Sequence, residues 1–172
     1  MRGRYWLTYL LVVTAQVLLG NFLNLGQYIA ACLLPILILS LPIGYGGAVL
    51  MGIAFATSFV VDFLTHGILG LSTVALLPVA AGRRLLVSAI FGGELYSRGE
   101  DISVRKQGLP KMALSILIAT AVYMAVFVWV DAAGTRSFGF CTLRWLLSTL
   151  VSTAVQILLT GLLSNREDGR WK

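Results

Sequence analysis

Apolar positions fill this chain in long runs that polar residues rarely interrupt. Between Arg4 and Asp62 there is no Asp, Glu, Lys or Arg for 57 residues. A bilayer-crossing helix takes about 20 apolar residues, so this run alone holds two or three crossings. Asn21, Asn24, Gly26 and Gln27 break it once, and the turn-forming stretch from Pro42 to Gly47 breaks it again. Further charge-free windows follow at 63–82, 112–130 and 145–165. The pattern predicts six spans, at 5–22, 28–42, 47–64, 69–89, 111–130 and 143–163. The second is short for a perpendicular helix and contains Pro35, and the fourth contains Pro78. A five-span reading with 69–82 as a re-entrant hairpin competes with it. Arg83 and Arg84 fall about a turn inside the fourth span and are expected to snorkel to the headgroups.

Composition narrows the class. The chain has 172 residues, 58% hydrophobic and 12% charged, with a mean hydropathy of +0.89. Soluble domains are about a quarter charged, and disordered segments need low hydrophobicity, so both are excluded. The expected fold is an all-α integral membrane protein, a compact bundle of about six transmembrane helices in a single domain. With an even number of spans both termini share a side. Placing them in the cytoplasm puts 11 of the 13 Lys and Arg residues inside and leaves only Arg136 and Arg144 outside, as the positive-inside rule favours. The net charge of +6 then follows topology and anionic headgroups, and a nucleic-acid partner need not be invoked. Arg2 and Arg4 before an apolar run resemble a signal peptide. The run is too long, no small-residue cleavage site follows, and Tyr5, Trp6 and Tyr9 suit an interfacial anchor, so the first span is expected to stay. Outside the bilayer only a cytoplasmic loop at 91–110 and a polar, frayed tail at 164–172 are expected.

Reactive chemistry is sparse. Cys32 and Cys141 are the only cysteines; they read as small buried hydrophobes, although a disulfide is conceivable if spans two and six adjoin. With one histidine and no CxxC or HExxH, no metal or cofactor is expected. Asp62 and His66 stand four apart at the outer end of span three. A carboxylate there is costly against lipid, so Asp62 should face the interior, with Arg144 or His66 as its counter-charge. It reads as a polar clamp fixing a helix end, or else as a proton relay, ligand contact or partner contact. Gly44, Ala48, Gly52 and Ala56 form a small-residue ridge of the kind that lets helices approach. Ser148, Ser152, Gln156 and Thr160 form a polar stripe on span six, flanked by Thr149 and Thr153. Intramolecular packing is the plain reading of both, with a groove for another membrane protein, or a ligand cavity along the stripe, as the alternative. No nucleophile elbow, P-loop, dinucleotide motif or acidic cluster for Mg²⁺ occurs, and the sequence argues against an enzyme.

The stretch from Gly52 to Leu86, GIAFATSFVVDFLTHGILGLSTVALLPVAAGRRLL, resembles the MreD family of rod-shape-determining membrane proteins. The likeness rests on Gly52 ten residues before Asp62, then Gly67, the Leu69-Gly70-Leu71 turn, and an alanine-rich helix closing on Arg83 and Arg84. Length, six spans and cytoplasmic termini agree over nearly the whole chain, while Pro78 and the charged loop at 91–110 depart from the pattern. The resemblance implies a non-enzymatic subunit of the elongation machinery in the bacterial cytoplasmic membrane. It also implies an MreC-like bitopic protein as partner and, through it, RodA and a class B penicillin-binding protein. The implied bundle is similar to the S components of energy-coupling-factor vitamin transporters. A solute-binding subunit of that type is the competing function, with the stripe, Asp62 and Arg144 around a pocket and Phe138, Phe140 and Trp145 as candidate caps.

Overall fold

The computed structural model describes residues 2–22, 26–42, 44–65, 68–92 and 108–168. Six helices lie among them: α1 (Arg2–Phe22), α2 (Leu34–Ser40), α3 (Gly47–Leu64), α4 (Leu71–Phe91), α5 (Leu109–Ala132) and α6 (Phe138–Asp168). Four of these, α3 to α6, are long and apolar enough to cross a membrane. In α1 the apolar stretch Thr8–Phe22 is shorter. The expectation of about six membrane-spanning helices therefore reduces to an all-helical chain with four candidate spanning helices among six. His66, Gly67 and most of the loop at 91–110 lie outside the described residues, as does the end of the tail. α6 itself runs on to Asp168, so residues expected as frayed tail are helical.

The second predicted span is where the chain departs furthest from expectation. Residues 28–33 are not helical, and α2 has only 7 residues. Proline explains where the helix starts. Pro35 lacks an N–H and clashes with a preceding helical turn, so it is tolerated only at a helix start, and it occupies the first turn of α2. Gly26, at φ +85, turns the chain before the extended stretch. Pro78, by contrast, sits inside a continuous α4, which excludes the re-entrant hairpin at 69–82. Its missing hydrogen bond falls on an exposed face, since Val74 is 50% exposed.

α3 packs on α4, α4 on α5 and α5 on α6, while α2 touches α1, α3, α4 and α5. Every residue from Cys32 to Leu39 is buried, so the irregular segment and α2 form the centre of the bundle. Around them pack Leu50, Ala54 and Val61 of α3, Ala75, Leu76 and Ala80 of α4, and Ile116, Ala119 and Met124 of α5. The small residues among these admit a fifth element between the long helices. The predicted ridge is on the other side. Gly44, Ala48, Gly52 and Ala56 are all exposed, and a Cβ added at Gly44 or Gly52 would meet nothing within 4 Å. The buried stripe of α3 passes through Ala54, Ser58 and Asp62, two positions or roughly 200° away from Gly52 and Ala56 on a helix of about 3.6 residues per turn. Intramolecular packing is therefore not the role of that ridge.

Candidate functional site

A chain inside hydrocarbon must satisfy its backbone polar groups internally. Residues 28–33 have no helical hydrogen bonds, and the polar stripe of α6 supplies what they lack. Ser148 Oγ accepts the Ala30 N–H at 2.9 Å, and Ser152 Oγ accepts the Cys32 N–H at 3.0 Å. The Ser152 hydroxyl also donates to the Ala30 carbonyl at 3.2 Å. Gln156 Nε2 donates to the Cys32 carbonyl at 2.8 Å and to Thr120 Oγ1 at 3.1 Å. From α1, Gln16 Oε1 accepts the Leu33 N–H at 2.6 Å. Thr160 stays within its own helix, donating to the Gln156 carbonyl. The spacing by four is thus a ladder on α6 holding one edge of an extended strap. Ser148, Ser152 and Gln156 have no exposure.

The strap leads into α2, whose far end is held by Arg83. Its guanidinium donates to the carbonyls of Leu39 at 3.3 Å, Pro42 at 3.5 Å, and Leu41. The Leu39 carbonyl is one that a helix leaves unbonded at its C-terminus, where the dipole is also negative, and Leu41 and Pro42 follow just beyond it. Arg83 is 1% exposed, so the expected snorkelling does not occur: α2 brings acceptors to the arginine, which need not reach for water. Arg84 is exposed, one position on and facing away.

At the opposite end of α4, Asp62 plays the matching part. Its Oδ2 accepts the N–H groups of Gly70 at 3.0 Å and Ser72 at 3.1 Å, donors that the first turn of a helix leaves open. Gly70 precedes that turn with φ +91, a left-handed conformation that glycine adopts without strain. The expected pairing with Arg144 is not formed. Arg144 bonds Asp131, across the short α5–α6 turn, because both lie on α5 and α6 rather than beside α3. Cys32 and Cys141 are free and buried in separate apolar clusters.

Asp62 also lines a cavity of about 200 Å³ between α1, the strap, α3, α4 and α5. Gln16, Thr65, Ser72 and Tyr123 contribute polar groups, and Leu19, Ile29, Met124 and Phe127 contribute apolar walls. Tyr123 stacks on Phe127 at a centroid distance of 5.8 Å. The polar stripe lies elsewhere, behind the strap, and so do Arg144 and the proposed caps: Phe138 is exposed, Phe140 packs on Tyr28, and the Trp145 indole donates to the Ala121 carbonyl. Among the described residues no three side chains of His, Cys, Asp or Glu come together as a metal site. Gln16, Asp131 and Tyr123 were not singled out in the sequence. A lone amide inside an apolar span marks Gln16, and a lone carboxylate bordering one marks Asp131; Tyr123 has no such signal. No family model, curated protein or solved structure matches the chain.

Proposed function

We propose that the chain is a non-enzymatic scaffold of the bacterial cell-wall elongation machinery, of the MreD type. In this reading it sits in the cytoplasmic membrane with both termini inside, in a bundle similar to that of transporter S components. It acts by contacts with an MreC-like bitopic protein and, through it, with RodA and a class B penicillin-binding protein. The observation that carries the reading is how the intramembrane polar groups are spent. The Ser148–Gln156 ladder holds a backbone strap, Arg83 holds the end of α2, and Asp62 caps α4, so most of these polar groups serve architecture. The exposed ridge of Ala48, Gly52 and Ala56 on α3, with Gly44 in the turn before it, supplies a smooth surface of the kind that associates in lipid. Purification from native membranes is expected to recover an MreC-like protein, and depletion to round rod-shaped cells. Normal cell shape with undiminished peptidoglycan synthesis after depletion would refute the proposal.

The competing reading, a solute-binding subunit of the S-component type, is favoured by one observation, the cavity beside Asp62. A vitamin retained in stoichiometric amount by the purified protein, detected by mass spectrometry, decides for it.

A further inference from the structure

The cavity holds a carboxylate only half used. Asp62 is 5% exposed, and its Oδ2 takes both backbone donors of α4. Oδ1 has no hydrogen-bond donor among the described residues, yet it is not among the side-chain atoms sealed from solvent without a partner. It is therefore open to the cavity that Asp62 lines. No Lys or Arg is among the described residues of the lining. A carboxylate with no Lys or Arg beside it among the described residues repels anions and favours a cation.

Size and wall chemistry select the kind of cation. About 200 Å³ exceeds the roughly 150 Å³ cavity that accepts benzene in another protein, and far exceeds what a bare ion fills. A divalent ion requires 6–8 oxygen ligands or a near-octahedral shell, which one carboxylate among apolar walls does not provide. The walls instead include Leu19, Ile29, Val61 and Met124, with the Tyr123–Phe127 ring pair. Aromatic faces attract organic ammonium groups. We infer that the cavity is a binding site for a small organic monocation, an ammonium group set against Asp62 Oδ1 with an apolar body between α1, α4 and α5. Thr65 and Ile68 stand at the α3–α4 end of the lining, and Ile68 is 65% exposed.

This site goes beyond the scaffold reading and stands apart from it, because its test uses the purified protein without partners. Benzylammonium is the probe, titrated calorimetrically into the full chain in lipid nanodiscs at neutral pH, with benzyl alcohol as the uncharged isostere. Saturable one-to-one binding is expected, at least tenfold tighter for the ammonium than for the alcohol. Asp62→Asn keeps an acceptor for Gly70 and Ser72 and is expected to remove that preference. Ala31→Leu, which keeps the carboxylate but fills space in the lining, is expected to weaken binding at least tenfold. Absence of saturable benzylammonium binding by the unaltered chain overturns the inference. So does equal affinity for the alcohol, or competition by millimolar sodium, which would make the site one for a metal ion. Loss of MreC-like partners without loss of probe binding would sink the scaffold proposal alone.

Discussion

Asp62 and Arg83 are both ionisable residues within a chain built for lipid, and each is met by backbone groups of opposite polarity. One carboxylate oxygen receives two N–H groups at the start of α4, and one guanidinium reaches three carbonyls at the end of α2. For Asp62 this orders the substitutions. Asp62→Asn retains an acceptor and is expected to cost about 1 kcal/mol, whereas Asp62→Leu leaves two donors unmet and should cost about 3 kcal/mol. Thermal denaturation in detergent measures the difference; equal loss from both would mean that the negative charge itself is required. For Arg83 the fork matters as much as the charge. Arg83→Lys replaces a planar, multi-donor group with a single ammonium and is expected to lower stability by about 1–2 kcal/mol, with Arg83→Met lowering it by about 3 kcal/mol or more. If Arg83→Lys and Arg83→Met melt together with the unaltered protein, the guanidinium is not holding the end of α2.

At the scale of elements, the long helices were legible because each is defined by its own residues. The predicted limits 47–64 coincide with α3, and those at 69–89 and 111–130 fall within two residues of α4 and α5. Apolar length between charges is enough to place such helices. The strap was not legible, because what stabilises it is remote. Ala30 and Cys32 are bonded by side chains 118 and 120 positions along the chain, and without those partners an apolar run reads as helix. Pro35 marked the irregularity but not its extent. Likewise the spacing of Ser148, Ser152 and Gln156 gave one face of α6, while what that face touches depends on the strap. Ser152→Ala removes the acceptor of the Cys32 N–H and is expected to cost about 1–3 kcal/mol. Gln156→Leu is expected to cost at least as much, since it frees both the Cys32 carbonyl and Thr120. Accelerated amide hydrogen exchange at 30–33, with α3 unaffected, is the signature of this local loosening.

For the whole molecule, the exposed ridge of α3 separates folding from association. Two stripes with the same spacing run along this helix, and periodicity alone does not say which one is inside. Burial assigns Ala54 and Ser58 to the core and leaves Gly52 and Ala56 outside. Because an added Cβ at Gly52 meets nothing within 4 Å, Gly52→Leu should leave the melting temperature of the isolated protein within about 2 °C. In the membrane it should reduce recovery of the proposed bitopic partner severalfold, as bulk on a close-approach face does. Unchanged recovery would place the partner on another surface.

The strap also sets an order of events during biosynthesis. Helices whose bonds are internal can enter the bilayer singly and associate later. Residues 28–33 lack that independence, since an unpaired backbone does not persist in hydrocarbon. Their partners Ser148, Ser152 and Gln156 leave the ribosome more than a hundred residues afterwards. Until then the N-terminal segment must wait in the headgroup region or borrow hydrogen bonds from another protein. α6, made long after the strap, therefore completes the centre of the molecule, and a chain truncated before it would be left open at its core.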